Sequence, residues 1–268
     1  MNKVKVVQLS VNDSETKAER LDRVESYLGQ IAEEENGPLM VILPELWGTG
    51  FFNFNRYIDE SESLEGETYS RLAPWAEKGN FYILGGSIIE RDGSDYYNTA
   101  LLIGPNGFLS AVYRKVHLFG YQSRESRLLT PGQDIMVIRN AYGTWGISTC
   151  YDLRFPELYR KMLEGGVDTF FILAAWPAER LEHWLLLNRA RALENLAYVV
   201  ACNCAGIIND HTFAGNSLVV DPWGVIQARG GDKEELLTFH YDPVQTASIR
   251  SEFPAVDDRT IGIIKYRD

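Results

Sequence analysis

Gly146-Ile147-Ser148-Thr149-Cys150-Tyr151-Asp152-Leu153-Arg154-Phe155-Pro156-Glu157 is the stretch on which the reading of this chain turns. From Trp145 to Thr149 the residues are mostly small, apolar or β-branched, the pattern of a buried strand ending at Cys150. Phe155, Leu158, Tyr159 and Met162 then recur at i, i+3, i+4 and i+7, the apolar stripe of a helix. Pro156 suits a first helical turn, and Gly165-Gly166 closes the helix. Cys150 therefore falls at a strand-to-helix junction, beside backbone N–H groups and the positive end of a helix dipole, which predicts a lowered thiol pKa. A lone buried cysteine is more often structural. The charges around this one, Asp152, Arg154 and Glu157, argue for chemistry, because an apolar core strand has no need of them.

On the N-terminal side, Val4 to Leu9 reads as a strand, and residues 14–35 as an amphipathic helix with Leu21, Val24, Leu28 and Ile31 on one stripe. Leu39 to Leu43 is a continuous apolar run, the mark of a strand buried on both faces. It stops at Pro44-Glu45, and an aromatic, Gly-rich loop from Leu46 to Phe52 follows. A helix is predicted over Glu67–Lys78. Strands follow at Tyr82–Ile89, Tyr97–Ile103 and Leu109–Arg114, separated by Asp92-Gly93 and Pro105-Asn106-Gly107 turns. A polar loop covers Phe119 to Gln133, and Ile135–Ile138 is a further strand. Beyond the cysteine helix, Thr169–Ala174 is a buried strand and Glu182–Asn195 a helix. The patterns at 198–203, 217–220, 225–228 and 236–241 are the remaining strands. Strands and helices alternate while hairpin turns join several strands, which predicts an α/β fold of paired mixed sheets covered by helices, with residues 1–268 as one domain.

Charge and composition narrow the partners. A net charge of −11 argues against nucleic acid and anionic membrane surfaces. No apolar run approaches the roughly 18 residues of a membrane span, and the N-terminus passes straight into a strand pattern without a signal peptide's apolar stretch. Three cysteines make no disulfide framework, so a reduced, cytoplasmic setting is expected. The four histidines have no zinc-ligand spacing and read as structural, so no metal is expected.

Glu45, Lys115 and Cys150 each stand just past a predicted strand. In α/β folds ligands gather outside the carboxyl ends of strands, so three ends distant in sequence can share one site. Each alone reads as an ordinary surface or loop residue; their chemistry is complementary. A nucleophilic thiol needs a base or a positive neighbour. A carboxyl in an aromatic, water-poor loop is suited to take and return a proton, and an ammonium holds a developing oxyanion together with the N–H of the residue after the nucleophile, Tyr151.

Pro44-Glu45, Arg114-Lys115-Val116-His117-Leu118 and Cys150-Tyr151-Asp152-Leu153-Arg154-Phe155-Pro156-Glu157 resemble the three signature motifs of the nitrilase superfamily of carbon–nitrogen hydrolases. His183-Trp184, Arg189 to Asn195 and Asp221-Pro222-Trp223-Gly224 extend the similarity, which runs from Val4 to about Arg259. The resemblance implies a four-layer α-β-β-α sandwich, no cofactor, a small amide substrate, and a homodimer or higher homo-oligomer paired through helices near the site. It implies Glu45 as general base and acid, Lys115 as oxyanion holder and Cys150 as nucleophile. Glu125, in Gln122-Ser123-Arg124-Glu125-Ser126, matches the family's second glutamate. A charge solvated on a loop is the other reading of that residue.

True nitrilases follow the cysteine with Trp-Glu, whereas this chain has Tyr151-Asp152-Leu153-Arg154, which points to the amidase branches. The Tyr-Asp-Leu-Arg-Phe-Pro stretch, with Ala175-Trp176-Pro177-Ala178 and His183-Trp184, is most similar to ω-amidases, which hydrolyse 2-oxoglutaramate and related 2-oxo acid amides. Arg154 is then a partner for a substrate carboxylate or, equally, a structural partner of Asp152 or Glu157. Trp176 is a candidate pocket wall, with Trp47, Phe51 and Tyr121 as further aromatics. Deaminated glutathione, N-carbamoyl amino acids and aliphatic amides are alternative substrates within the family. A thiol peroxidase and a non-catalytic binding protein are the alternatives outside it.

Overall fold

In this computed structural model, which describes residues 1–260, the chain opens with β1 (Asn2–Gln8), the short β2 (Ser10–Asn12) and α1 (Lys17–Ala32). β3 (Met40–Ile42) and α2 (Glu67–Gly79) follow, then the meander β4 (Tyr82–Asp92), β5 (Asp95–Ile103) and β6 (Leu109–Arg114). The short α3 (Glu125–Leu128) leads to β7 (Val137–Asn140) and β8 (Gly143–Thr149), and α4 (Pro156–Glu164) precedes β9 (Thr169–Ala174). Next come α5 (Leu181–Asn195), β10 (Tyr198–Asn203), β11 (Ala205–Ile208) and β12 (His211–Thr212). β13 (Leu218–Val220), β14 (Ile226–Arg229), β15 (Glu235–Tyr241) and α6 (Pro243–Glu252) complete the order. Residues 261–268, the end of the span predicted as one domain, lie outside the described residues.

Two six-stranded sheets carry the architecture, ordered β15-β1-β3-β4-β5-β6 and β14-β13-β10-β9-β8-β7. They face each other across an apolar layer that includes Val4, Val6 and Ile42 from the first and Trp145, Phe171 and Leu173 from the second. On the outer face of the first sheet, α1 and α2 bury Leu21, Val24, Leu28, Leu72 and Ala76. α4 and α5 bury Leu158, Met162, Trp184 and Ala192 on the outer face of the second. The predicted four-layer α-β-β-α sandwich is the observed fold. Strands in the middle of such a stack are covered on both faces, and β3 and β9 are accordingly buried along their whole length and almost entirely apolar.

Element ends moved from their predicted places for local reasons. The helix predicted over 14–35 starts only after Thr16, whose hydroxyl accepts from the Glu19 N–H at 3.2 Å while Glu19 accepts from the Thr16 N–H at 2.8 Å. This reciprocal cap outcompetes further winding. The strand predicted at Ile135–Ile138 lies at Val137–Asn140, set by pairing with β8 rather than by its own apolar run. β2, β11 and β12 form a small third sheet too short to show a period, and α6 has too few apolar residues to show a stripe. No described helix is long and apolar enough to cross a membrane.

Candidate active site

Glu45 follows β3, Lys115 follows β6 and Cys150 follows β8, and the sandwich brings these strand ends together. The turn at Pro44-Glu45 packs directly on β4, where Gly86 adopts φ +73; a Cβ there would sit 2.2 Å from the Pro44 carbonyl, so only glycine permits the approach. The Leu46 N–H donates to Ser87 Oγ at 3.1 Å, and the Cys204 thiol reaches the Glu45 carbonyl at 3.5 Å.

Lys115 is buried, and its Nζ donates to Glu45 Oε1 at 2.8 Å and to both oxygens of Glu125 at 3.0 Å. Burial alone pushes the ammonium pKa down, but the Glu125 and Glu45 carboxylates outweigh it and hold the lysine above its ordinary value, so it is charged. Glu125 is no solvated loop charge. The predicted polar loop carries α3, and Glu125 within it is fully buried. Its Oε2 also accepts from the Phe119 N–H at 2.6 Å. Burial raises its pKa, Lys115 opposes that, and the Glu45 charge adds to it. The second oxygen of Glu45 accepts from the Ala175 N–H at 2.9 Å.

Asn98, not singled out from sequence, links the two carboxylates. Its Nδ2 donates to Glu45 Oε1 and to Glu125 Oε1, each at 2.8 Å, while its Oδ1 has no partner among the described residues. Since carboxylates only accept, the amide can face them only through nitrogen. The available signal was a fully buried polar amide within a strand, where asparagine is disfavoured.

Cys150 has φ +47, a left-handed conformation costing about 1–2 kcal/mol for a residue with a Cβ. A 3-10 turn over Cys150–Arg154 separates it from α4, which starts only at Pro156. The predicted lowering of the thiol pKa is overturned. Burial, then the neighbouring Glu45 carboxylate, pushes the thiol well up, and the opposing Lys115 charge does not restore it. The cysteine is thus a protonated thiol beside an acceptor carboxylate. Tyr151 is the second residue of the 3-10 turn, among the leading N–H groups that such a turn leaves without internal partners.

Asp152, which the sequence offered as charged company and as a partner for Arg154, instead holds this turn to the lysine strand. It is fully buried and accepts from the Tyr113 hydroxyl at 2.7 Å, the Thr149 N–H at 2.9 Å and the His117 N–H at 3.0 Å. His117 Nδ1 also lies 2.8 Å from Asp152, and its ring stacks on Phe155 at 3.7 Å, the structural role expected of it. Arg191, on α5, donates from Nε and Nη2 to the Leu153 carbonyl, at 3.1 and 2.8 Å, and so closes the end of the turn.

The narrow cleft above Cys150 is walled by Phe51, Phe52, Phe119, Tyr151 and Trp176. Trp47 is not part of it; its indole donates to the Gly85 carbonyl in the outer core, and Tyr121 stands exposed at the rim. Arg154 pairs with neither Asp152 nor Glu157. Its guanidinium lies 4.9 Å from the Trp176 ring, with Nη2 3.2 Å from His183 Nδ1. Arg180, unremarked in the sequence, lines the same cleft.

The family model of carbon–nitrogen hydrolases matches residues 3–251, and the chain belongs to that family. The 2-oxoglutaramate amidase of Bacillus subtilis is 38% identical to it over 85% of this chain and 87% of its own length. That of Paenarthrobacter nicotinovorans is 34% identical over 97% and 90%. Among solved structures, a carbon–nitrogen hydrolase superfamily protein of Xanthomonas campestris with an arsenic adduct in its active site superposes with a TM-score of 0.89 at 30% identity, covering 98% of this chain and 99% of that one.

Proposed function

We propose that the chain hydrolyses the terminal amide of a small carboxylate-bearing substrate, 2-oxoglutaramate or a related 2-oxo acid amide, to the acid and ammonia. One observation carries the reading: a charged Lys115 bonded to Glu45 and Glu125, in a dry site that also holds the Cys150 thiol. Relatives named 2-oxoglutaramate amidase support the substrate class. So does Arg154, whose contacts are with His183 and the Trp176 ring and which has no carboxylate partner among the described residues.

Glu45 takes the thiol proton as Cys150 Sγ bonds to the amide carbon, so that a thiolate, disfavoured here when free, forms only as it is consumed. Lys115 and the Tyr151 N–H hold the tetrahedral oxygen anion. Glu45 returns the proton to the departing nitrogen, the C–N bond breaks and ammonia leaves a thioester. The same carboxylate then draws a proton from water, whose oxygen adds to the thioester carbon. Collapse of that adduct releases the acid and restores the thiol. Glu125 and Asn98 keep Lys115 and Glu45 in place throughout. Ammonia release from 2-oxoglutaramate tests the reading, with Cys150→Ala expected to abolish it; turnover of N-carbamoyl amino acids alone would contradict the substrate assignment.

The same reading takes residues 1–268 as one working domain and pairs two copies through α5. Leu186 and Leu193 are exposed on that helix, and the Trp223–Val225 loop lies against it, with the Arg189 Nε donating to the Gly224 carbonyl at 2.9 Å. Exposed apolar side chains grouped in this way mark an association surface. Leu193→Glu is expected to shift the eluted mass from dimer to monomer, measured by size exclusion with light scattering.

A further inference from the structure

We propose that Arg180 is a specificity-determining residue, forming with Arg154 a two-guanidinium clamp that selects amides whose far end carries a carboxylate. This rests on the amidase reading and extends it to a residue outside the signature motifs. Arg180 closes the 3-10 turn Ala178–Arg180, just beyond Trp176. The turn is pinned from within: the Trp176 indole donates to the Arg180 carbonyl at 2.9 Å, and the Arg180 N–H donates to the Pro177 carbonyl at 3.1 Å. Its guanidinium lies 5.7 Å from the Tyr121 ring and 6.0 Å from the Phe119 ring, as Arg154 lies over Trp176. Both arginines thus rest against aromatic faces, and apart from Arg154 Nη2 at His183 and Arg180 Nη1 near Glu179, their planar N–H edges are available to an anion.

The charges nearby strengthen the case. In a chain of net charge −11, no acidic side chain among the described residues lines the outer part of this cleft, beside the two arginines. The acid nearest Arg180 is its sequence neighbour Glu179, largely exposed and 3.9 Å away. Burial first, and the Arg180 charge among the lesser causes, lowers the Arg154 pKa, so the two cations feel one another. A bound carboxylate relieves that repulsion and accepts bidentate bonds. The shelf under Arg180 is also tied to the reacting end, because the Phe119 N–H donates to Glu125. A neutral amide of the same length gains nothing from this rim.

The test compares the full chain with Arg180→Met, which keeps the aliphatic stem, and Arg180→Lys, which keeps the charge without the fork. The readout is the ratio of kcat/KM for 2-oxoglutaramate to that for neutral pentanamide. Arg180→Met is expected to lower the ratio roughly 10- to 100-fold, the worth of charge-assisted hydrogen bonds, mainly through KM, with Arg180→Lys recovering part of it. A second readout needs no turnover: the concentration of 2-oxoglutarate that half-protects Cys150 from iodoacetamide should rise by a similar factor in Arg180→Met. An unchanged ratio, an unchanged protection constant, or no protection of the unsubstituted chain overturns the clamp. If the unsubstituted chain releases ammonia from neither amide, the amidase reading falls and the protection constants alone decide on Arg180.

Discussion

The two ends of the cleft hold their charges by opposite means. At the floor, Lys115, Glu45 and Glu125 are buried, and each has named partners within 3.0 Å. At the rim, Arg154 and Arg180 rest on aromatic rings, and among the described residues the only carboxylate within reach of either is the exposed Glu179. In a dry environment Coulomb forces are strong, so charges that must not move are locked to one another. The rim charges are positioned mainly by aromatic contacts, which leave most of their donors unspent. On the proposed reading, the floor does the reaction and the rim chooses its substrate.

Substitutions at the floor should therefore lower turnover of every amide alike, whereas those at the rim change which amide is preferred. The largest effect is expected from Lys115→Met. Losing an oxyanion donor costs on the order of 10²–10³ in kcat, and leaving two buried carboxylates without their cation destabilises the fold by about 3–5 kcal/mol. Ammonia release and urea unfolding read the two losses separately. A variant that kept its stability would break the idea of a locked floor.

Glu45→Gln sharpens the contrast further, because turnover and thiol ionisation should move in opposite directions. Turnover falls by about 10²–10⁴ as the general base and acid is lost. The thiol pKa, which the Glu45 carboxylate helps to raise, falls, so the increase of Cys150 alkylation by iodoacetamide with pH begins at lower pH than in the unsubstituted chain. Alkylation starting at higher pH would mean that the carboxylate does not oppose the thiolate. Asn98→Leu has the smallest expected effect of the three. It removes two hydrogen bonds to charged groups, each worth about 1.5–3 kcal/mol, and should lower kcat with little change in KM or in the preference between anionic and neutral amides. A change in that preference would show that floor and rim are not separable.

Much of the floor was legible because it is made of residues that punctuate strong patterns. Glu45, Lys115 and Cys150 each end an apolar or β-branched run, and such runs are visible in one dimension. Glu125 was reachable only through the resemblance, since nothing in Gln122-Ser123-Arg124-Glu125-Ser126 says that the loop folds inward as α3. Asn98 and Asp152 were not assigned roles, because their work lies in contacts across the two sheets and the turn. The rim divided in the same way: Arg154 falls inside a motif, while Arg180 sits in a short 3-10 turn with no period at all.

From its order of residues alone, this chain determined a layered α/β sandwich and three strand-end groups that the fold gathers into one site, because burial imposes periodicity and strand ends are where such periodicity stops. The tertiary structure decided the ionisation of the cysteine. The sequence placed it near a helix dipole; in the fold a 3-10 turn separates it from α4, the packed cleft buries it beside Glu45, and desolvation with a neighbouring negative charge outweighs Lys115. Which charges are shared at the floor and which are held open at the rim was likewise decided in three dimensions, since partnership depends on distance through space and not along the chain.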